Sequence, residues 1–255
     1  MKAEFAQPRT AIVTGAAKRI GAAIARALSA DGWHLLIHCN RSVREAEALA
    51  AELGNSSVVS AELADPEAAE RIFRALDGLP PPRLLVNNAS RFVYDDSDDF
   101  AVEGWDAHQA INLRAPALLS RRFALAAADR GGLIVNLLDA KLAQPNPDFF
   151  TYTVSRMGLA GLTELTARAY ARKGIRVCGI APSLTLVSGP QSDENFDRVH
   201  RLNALGRGIE GDQIVGALRF IVATPTLTGQ IITLDAGQRF LSLPRDVQFL
   251  EPDHE

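Results

Sequence analysis

In the stretch YTVSR, Tyr152 and Arg156 stand four residues apart, the interval that sets two side chains on one face of an α-helix. A phenol beside a fixed cation is a candidate acid, because tyrosine ordinarily titrates near ~10 and a neighbouring positive charge favours the ionised form. Asp139, in NLLDAK, adds a carboxyl group directly after an apolar run; taken alone it reads as a residue that starts a loop after a strand. Asn112, in AINLRAP, reads by itself as a polar residue in mid-helix. A second kind of chemistry lies in TGAAKRIG (14–21), which carries Gly15, Lys18, Arg19 and Ile20 ahead of a helical pattern at Ile20, Ile24 and Leu28. Such a turn of small residues lets backbone N–H groups at a helix start approach a pyrophosphate, which the helix dipole also favours. Two glycines in eight residues equally suit an ordinary strand-to-helix turn, so the surroundings decide.

These residues need a scaffold, and the chain supplies one. Short apolar runs alternate with longer amphipathic stretches, the pattern of a parallel sheet covered on both faces. The strand candidates are TAIV (10–13), HLLIH (34–38), SVVSA (57–61), LLVNN (84–88), LIVNLL (133–138), IRVCGI (175–180) and QIITL (230–234). They predict an α/β fold: a single-domain, Rossmann-like, doubly wound sheet of about seven parallel strands with helices on both faces. Ser42 to Glu45 reads as a capping box, with Val43, Ala46, Leu49 and Leu53 following at helical spacing and Gly54 closing the helix. Asp65 and Pro66 read as the N-cap and first residue of the next helix, ahead of Ile72, Phe73 and Leu76. Two stretches resist the alternation, RFVYDDSDDFAVEGWDA (91–107) and SLTLVSGPQSDENFDRVHRLN (183–203). Both follow strands, at the edge where open α/β sheets bind ligands, and are the expected walls of a substrate site. No second domain, repeat or linker is visible, so one domain spans 1–255, with 242–255 as a C-terminal tail.

At the end of its second strand a dinucleotide site selects NAD with a carboxylate, which accepts the ribose hydroxyls and repels a 2′-phosphate. Here HCNRS (38–42) holds no Asp or Glu, while Arg41 and Ser42 offer a guanidinium fork and a hydroxyl, with Lys18 available from the first turn. The expected cofactor is NADP(H). Alone, Arg41 would be an ordinary surface charge and Ser42 an ordinary helix cap. At 255 residues and 47% hydrophobic, the chain can bury a sizeable core. A formal net charge of −3 without long blocks of like charge gives no reason to expect nucleic acid or a membrane surface as partner. No apolar run approaches the roughly 18 residues of a membrane span, and MKAEFAQPRT lacks a signal-peptide core, so a cytoplasmic location is expected. Cys39 and Cys178, both in apolar strand-like runs, suit buried free thiols in a reducing compartment. The histidines at 34, 38, 108, 200 and 254 show no metal-ligand spacing, and no metal is expected.

Together, TGAAKRIG, Asn87-Asn88-Ala89 after the fourth strand and the Tyr152 helix resemble the short-chain dehydrogenase/reductase family, over nearly the whole chain. Within it the likeness is closest to the pteridine reductases and the related bacterial dihydropterin and dihydrofolate reductases. Arg19 stands where the wider family has glycine, His38 to Ser42 forms H-x-x-R-S, Asn87 to Phe92 is NNAS followed by x-F, and Asp139 occupies the place of the usual catalytic serine. The resemblance implies that Asn88, Ala89 and Ser90 line a cofactor cleft, with Ser90 also near the substrate. Glu62 and Leu63 would meet the adenine amino group, and Pro182, Leu184 and Thr185 would close over the nicotinamide carboxamide. Arg19 would reach both pyrophosphate and substrate, and Phe92 would stack a flat heteroaromatic ring, a use of aromatic faces that competes with a plain role as a core-packed loop anchor. Asn112 would order water behind the site. Tyr152 would protonate the heteroatom of a C=N or C=O as hydride adds to its carbon, with Asp139 handing a proton onward through tyrosine or water.

The sequence also departs from the family. A lysine usual there hydrogen-bonds the nicotinamide ribose and lowers the tyrosine pKa; Arg156 keeps the charge but is bulkier and does not deprotonate in proteins. Ala236, in LDAG, replaces a frequent glycine, and the tail runs past the usual end. Two expectations follow. One is an NADPH-dependent reductase of a pterin-like C=N (dihydropterin or dihydrofolate) or a small carbonyl compound, with Tyr152 and Arg156 also contacting the cofactor. The other is an NADP(H)-binding protein of impaired catalysis that acts as a binding or regulatory module. The retained set Tyr152, Asp139, Asn112, Phe92 and Ser90 favours the enzyme. By the same resemblance a homo-tetramer is expected through helices at 104–129 and 152–173, and the acidic tail could then lie over a neighbouring subunit's site.

Overall fold

The structure is a computed structural model that describes residues 8–127, 130–187 and 191–250. The apolar runs become the strands Thr10–Val13 (β1), His34–Cys39 (β2), Ser56–Ser60 (β3), Pro82–Asn87 (β4), Gly132–Leu137 (β5), Ile175–Pro182 (β6) and Ile231–Leu234 (β7). They form one 7-stranded sheet in the order β3-β2-β1-β4-β5-β6-β7, every pairing parallel. The register of β1 against β4 shifts between Thr10 and Ala11, beside Pro82, which has no N–H to give a ladder and therefore sits at a strand start.

Helices return the chain between strands: Arg19–Ala30 (α1), Val43–Leu53 (α2), Ala68–Arg74 (α3), Val102–Gln109 (α4), Ala115–Ala126 (α5), Phe150–Tyr170 (α6), Asp193–Val199 (α7) and Gly211–Ala223 (α8). On one face Ile24 and Leu28 of α1, Leu49 of α2 and Ile214 and Leu218 of α8 bury against Val13, Leu35, Ile37 and Val86. On the other, Ile72 and Phe73 of α3 and Leu119 and Phe123 of α5 bury against Ile12, Leu36, Leu85 and Ile134. Each such side chain stabilises the fold by about 1.5–3 kcal/mol, so the two layers hold the strand ends, and the loops beyond them, in fixed positions. A charge inside β6 is accommodated the same way: the buried Arg176 donates to the carbonyls of Ile221, Thr224 and Leu227, where α8 ends and its carbonyls lack helical partners.

Local details differ from the sequence reading. The capping box does not form: Ser42 makes no side-chain cap bond, and Glu45 is held in a 2.5 Å ion pair with Lys18. The helix after Asp65 starts only at Ala68; Asp65 shapes the preceding turn by accepting from the Glu67 N–H at 2.9 Å. A capping box does form at α8, between Glu210 and Gln213, residue types that signal it weakly. The expected helix at 104–129 is α4, a π-helical turn at Ala110–Arg114 and α5, with 128 and 129 outside the described residues. The stretches 91–107 and 183–203 are partly helical, through α4 and α7. Both cysteines are buried free thiols, as expected. Among the described residues no helix is long and apolar enough to cross a membrane.

Candidate active site

A cleft of about 670 Å³ opens at the carboxyl ends of the strands, beside the β1/β4 junction where strand order reverses. Its first wall is the turn into α1. Gly15 has φ of 62°, and a Cβ there would lie 3.0 Å from Ala89 Cα; at Gly21 a Cβ would lie 2.3 Å from the Gly15 carbonyl oxygen. Only glycine allows this approach. The turn is tied to the end of β4 by Thr14 Oγ1, which accepts from the N–H groups of Asn88 and Ala89 at 3.0 Å, and by Asn88 Nδ2, which donates to the carbonyls of Thr14 at 2.8 Å and Gly15 at 3.1 Å. Helix α1 begins at the cleft wall without a side-chain cap, a position where the helix dipole suits an anion. These features fit a dinucleotide.

His38 belongs to this wall, though the sequence reading gave it no role. It is buried, its Nδ1 accepts from the Gly15 N–H at 3.2 Å, and its Nε2 pairs with the Ala61 carbonyl at 3.0 Å, which fixes a neutral tautomer. Burial holds its pKa below the ordinary value, against the pull of Ala61 and Glu62, and burial likewise lowers His108. As pH falls through the unfolded-state value of about 6.5, the unfolded chain takes up these protons first, so stability present above that pH is lost below it. The melting temperature is therefore expected to fall from pH 7 to pH 5, and His38→Asn to flatten part of that slope in thermal melts across the range.

The remaining cofactor candidates divide. Ile20, Glu62, Leu63, Asn88, Ala89, Ser90, Pro182, Leu184 and Thr185 all line the cleft. Arg19 lines it too, in a left-handed conformation with φ of 55°, the conformation that suits glycine, and its guanidinium donates to the Val187 carbonyl at 2.7 Å. It thereby links the first turn to the loop after β6. Lys18 lines the cleft but is held by Glu45. Arg41 and Ser42 do not line it; Asn40 does, and its amide donates to Glu62 Oε2 at 2.5 Å. The strand end thus reaches the cleft one residue earlier than its sequence suggested.

The second wall holds a paired phenol and carboxyl group. Tyr152 O–H donates to Asp139 Oδ2 at 2.8 Å, and Asp139 Oδ1 accepts from the Lys141 N–H at 2.8 Å. Burial pushes the Tyr152 phenol above its ordinary pKa; the charge of Arg156 pulls it back and Asp139 pushes it further up. The expected net lowering by the cation is not found, because desolvation outweighs it, and the phenol stays protonated. Arg156 is buried, its Cζ lies 5.1 Å from the Tyr152 ring centroid, and its Nη1 donates to the Leu137 carbonyl at 3.0 Å. Asn112 does not line the cleft. Buried in the π-helical turn, it accepts from the Arg91 N–H at 2.8 Å and donates to the Arg91 carbonyl at 2.9 Å and Ser155 Oγ at 3.0 Å. It clamps the loop after β4 to α6. The start of α6 is held from the same loop: Asp95 accepts from the Thr151 N–H at 3.0 Å and from its hydroxyl. Phe92 lines the cleft, stacks on Phe149 at 4.2 Å and meets Tyr152 edge-on at 4.7 Å, which makes it a packed loop anchor at the cleft wall.

A third wall comes from the tail: its described residues, 242–250, fold onto their own chain, while its acidic end at 251–255 lies outside the described residues. Asp148, buried, accepts from Arg245 Nη2 at 2.7 Å and Nε at 3.1 Å, and from the Asp246 N–H at 2.7 Å. Burial raises the Asp148 carboxyl, but Arg245 and the Asp246 N–H outweigh it and hold the group below the usual carboxylate range. Phe249 packs against Phe149 at 5.9 Å and Tyr94 at 5.1 Å, while Arg198 of α7 donates to the Leu250 carbonyl at 2.7 Å. Leu243, Arg245, Asp246, Val247 and Gln248 all border the cleft.

Comparison with known proteins gives a consistent set. The family model described as short chain dehydrogenase matches residues 9–197. Pteridine reductase 1 of Leishmania tarentolae is 30% identical, the match covering 89% of this chain and 95% of the relative. A 3-oxoacyl-[acyl-carrier-protein] reductase of Synechocystis is 26% identical over 90% of this chain and 96% of the relative. The crystal structure of FolM alternative dihydrofolate reductase 1 from Brucella canis, complexed with NADP, superposes with a TM-score of 0.89 at 37% identity, covering 93% of this chain and 96% of that one.

Proposed function

Because this chain belongs to the short chain dehydrogenase family, we propose that it is an NADPH-dependent reductase of a pterin-like C=N, of the dihydropterin or dihydrofolate kind, with small carbonyl compounds as the wider class. The observation that carries this reading is the Tyr152 to Asp139 hydrogen bond of 2.8 Å inside the cleft, a phenol and a carboxyl group coupled where most of the family has a serine. The NADP complex of the Brucella structure and the name of the Leishmania relative support the cofactor and the substrate class.

Bound NADPH would supply the hydride. Gly15, Ile20 and the first N–H groups of α1 would hold its pyrophosphate, and Arg41, Ser42 and Lys18 at the mouth would meet a 2′-phosphate, Lys18 by leaving Glu45. Phe92 would take one face of a flat ring. Tyr152 would turn its O–H from Asp139 to the substrate heteroatom, and Asp139 would return a proton drawn from water in the cleft. Arg156 fixes a positive charge beside the phenol without passing a proton itself. Assembly as a homo-tetramer through α5 and α6 would cover Leu125 and Leu165, which are 57% and 67% exposed. A cytoplasmic setting suits the free thiols.

The test is NADPH oxidation against dihydrobiopterin, dihydromonapterin, dihydrofolate and simple ketones. Turnover is expected on a dihydropterin at a kcat/KM above that on any ketone. Tight NADPH binding with turnover on none of them would select the binding module instead.

A further inference from the structure

The tail wall places a second carboxyl group in the cleft that holds Asp139. We propose that Asp246 is a specificity-determining residue, whose carboxyl group receives N–H donors from the edge of a flat, nitrogen-rich heterocycle of the aminopyrimidine type. The inference rests on the reductase reading for its substrate class and adds the group that would recognise it.

Asp246 is built into place. Its backbone N–H is fixed by Asp148, its Oδ1 accepts from the Gln248 N–H at 3.1 Å, and its side chain is 14% exposed at the cleft wall. Its partner Lys141 stands off at 3.3 Å from Oδ2, longer than a tight charge-assisted bond, because Lys141 Nζ also donates to the Asp148 carbonyl at 2.5 Å. A carboxylate has about four acceptor positions, so capacity remains on the side that faces the cleft. Lys141 and the Gln248 N–H already pair with this carboxyl group, and a bound N–H donor at the cleft wall would add to them. Asp139 and Asp246 border one cavity, and a ketone without N–H groups gains nothing from Asp246. Phe92 offers the flat face, and the two carboxyl groups the edge partners, of one planar ligand.

Asp246→Asn keeps an oxygen for the Gln248 N–H and removes the charge. Affinity of the NADPH-bound protein for 2,4-diaminopyrimidine, read by calorimetry, is expected to fall roughly 10- to 100-fold. NADPH affinity and the KM for a simple ketone are expected to stay within about twofold, while the melting temperature should fall because Lys141 loses its carboxylate partner. If the asparagine variant fails to fold, Asp246→Ser, which also offers an oxygen to Gln248, replaces it. Equal affinity in wild type and variant, an equal loss on the ketone, or no binding to wild type overturns the proposal. If wild type reduces no dihydropterin yet binds the diaminopyrimidine in an Asp246-dependent manner, the reductase reading falls and this one stands.

Discussion

Tyr152→Phe is expected to lower kcat for the preferred substrate by about 10²–10⁴-fold, the usual worth of a positioned general acid, with NADPH affinity nearly unchanged. The substitution removes only the O–H. The ring keeps its edge contact with Phe92 at 4.7 Å and its place beside Arg156. It leaves Asp139 Oδ2 without its 2.8 Å donor, so stability should fall by about 1–3 kcal/mol. Steady-state kinetics beside NADPH titration separate the effects: a KM rise with kcat intact would show that Tyr152 binds substrate and does not protonate it.

Replacing Arg156 is expected to act on cofactor and acid together. Arg156→Ala removes the charge that draws the phenol pKa down, so the pH profile of the step should move up. It also leaves the buried Leu137 carbonyl without its 3.0 Å donor and should weaken NADPH binding about tenfold, the scale of a lost hydrogen bond to a charged group. Arg156→Lys restores charge and reach and should preserve or raise turnover. An alanine variant with unchanged pH profile and cofactor affinity would show that the guanidinium serves only Leu137.

The sheet was legible because most of its strands are buried apolar runs, β3 and β7 being the more exposed ones at its edges, and the pairing of Tyr152 with Asp139 because the family resemblance put both in one site. Capping was misread at Ser42, where no box forms and Glu45 pairs with the distant Lys18. His38 was missed because a histidine in a buried strand carries no outward mark of the backbone N–H it receives from Gly15. Asn112 reads as a polar residue in mid-helix, and its clamp on Arg91 and Ser155 carries no mark in the sequence because those partners lie far away along the chain. Ala236 stood out as an alanine in a glycine's place, and its φ of 47° shows the left-handed turn surviving the exchange. The tail was unreadable, since its partners Asp148 and Lys141 lie far away along the chain.

That distance sets an order of events. Arg245 meets Asp148 across 97 positions, and Asp246 meets Lys141 across 105. Contacts so remote must close long loops before they return any free energy, and they follow β7, which ends at Leu234. During folding the dinucleotide turn and the strands can therefore form while the pocket still lacks a wall. Competence to hold cofactor would precede competence to choose a substrate, and the two should recover on separate timescales after dilution from denaturant.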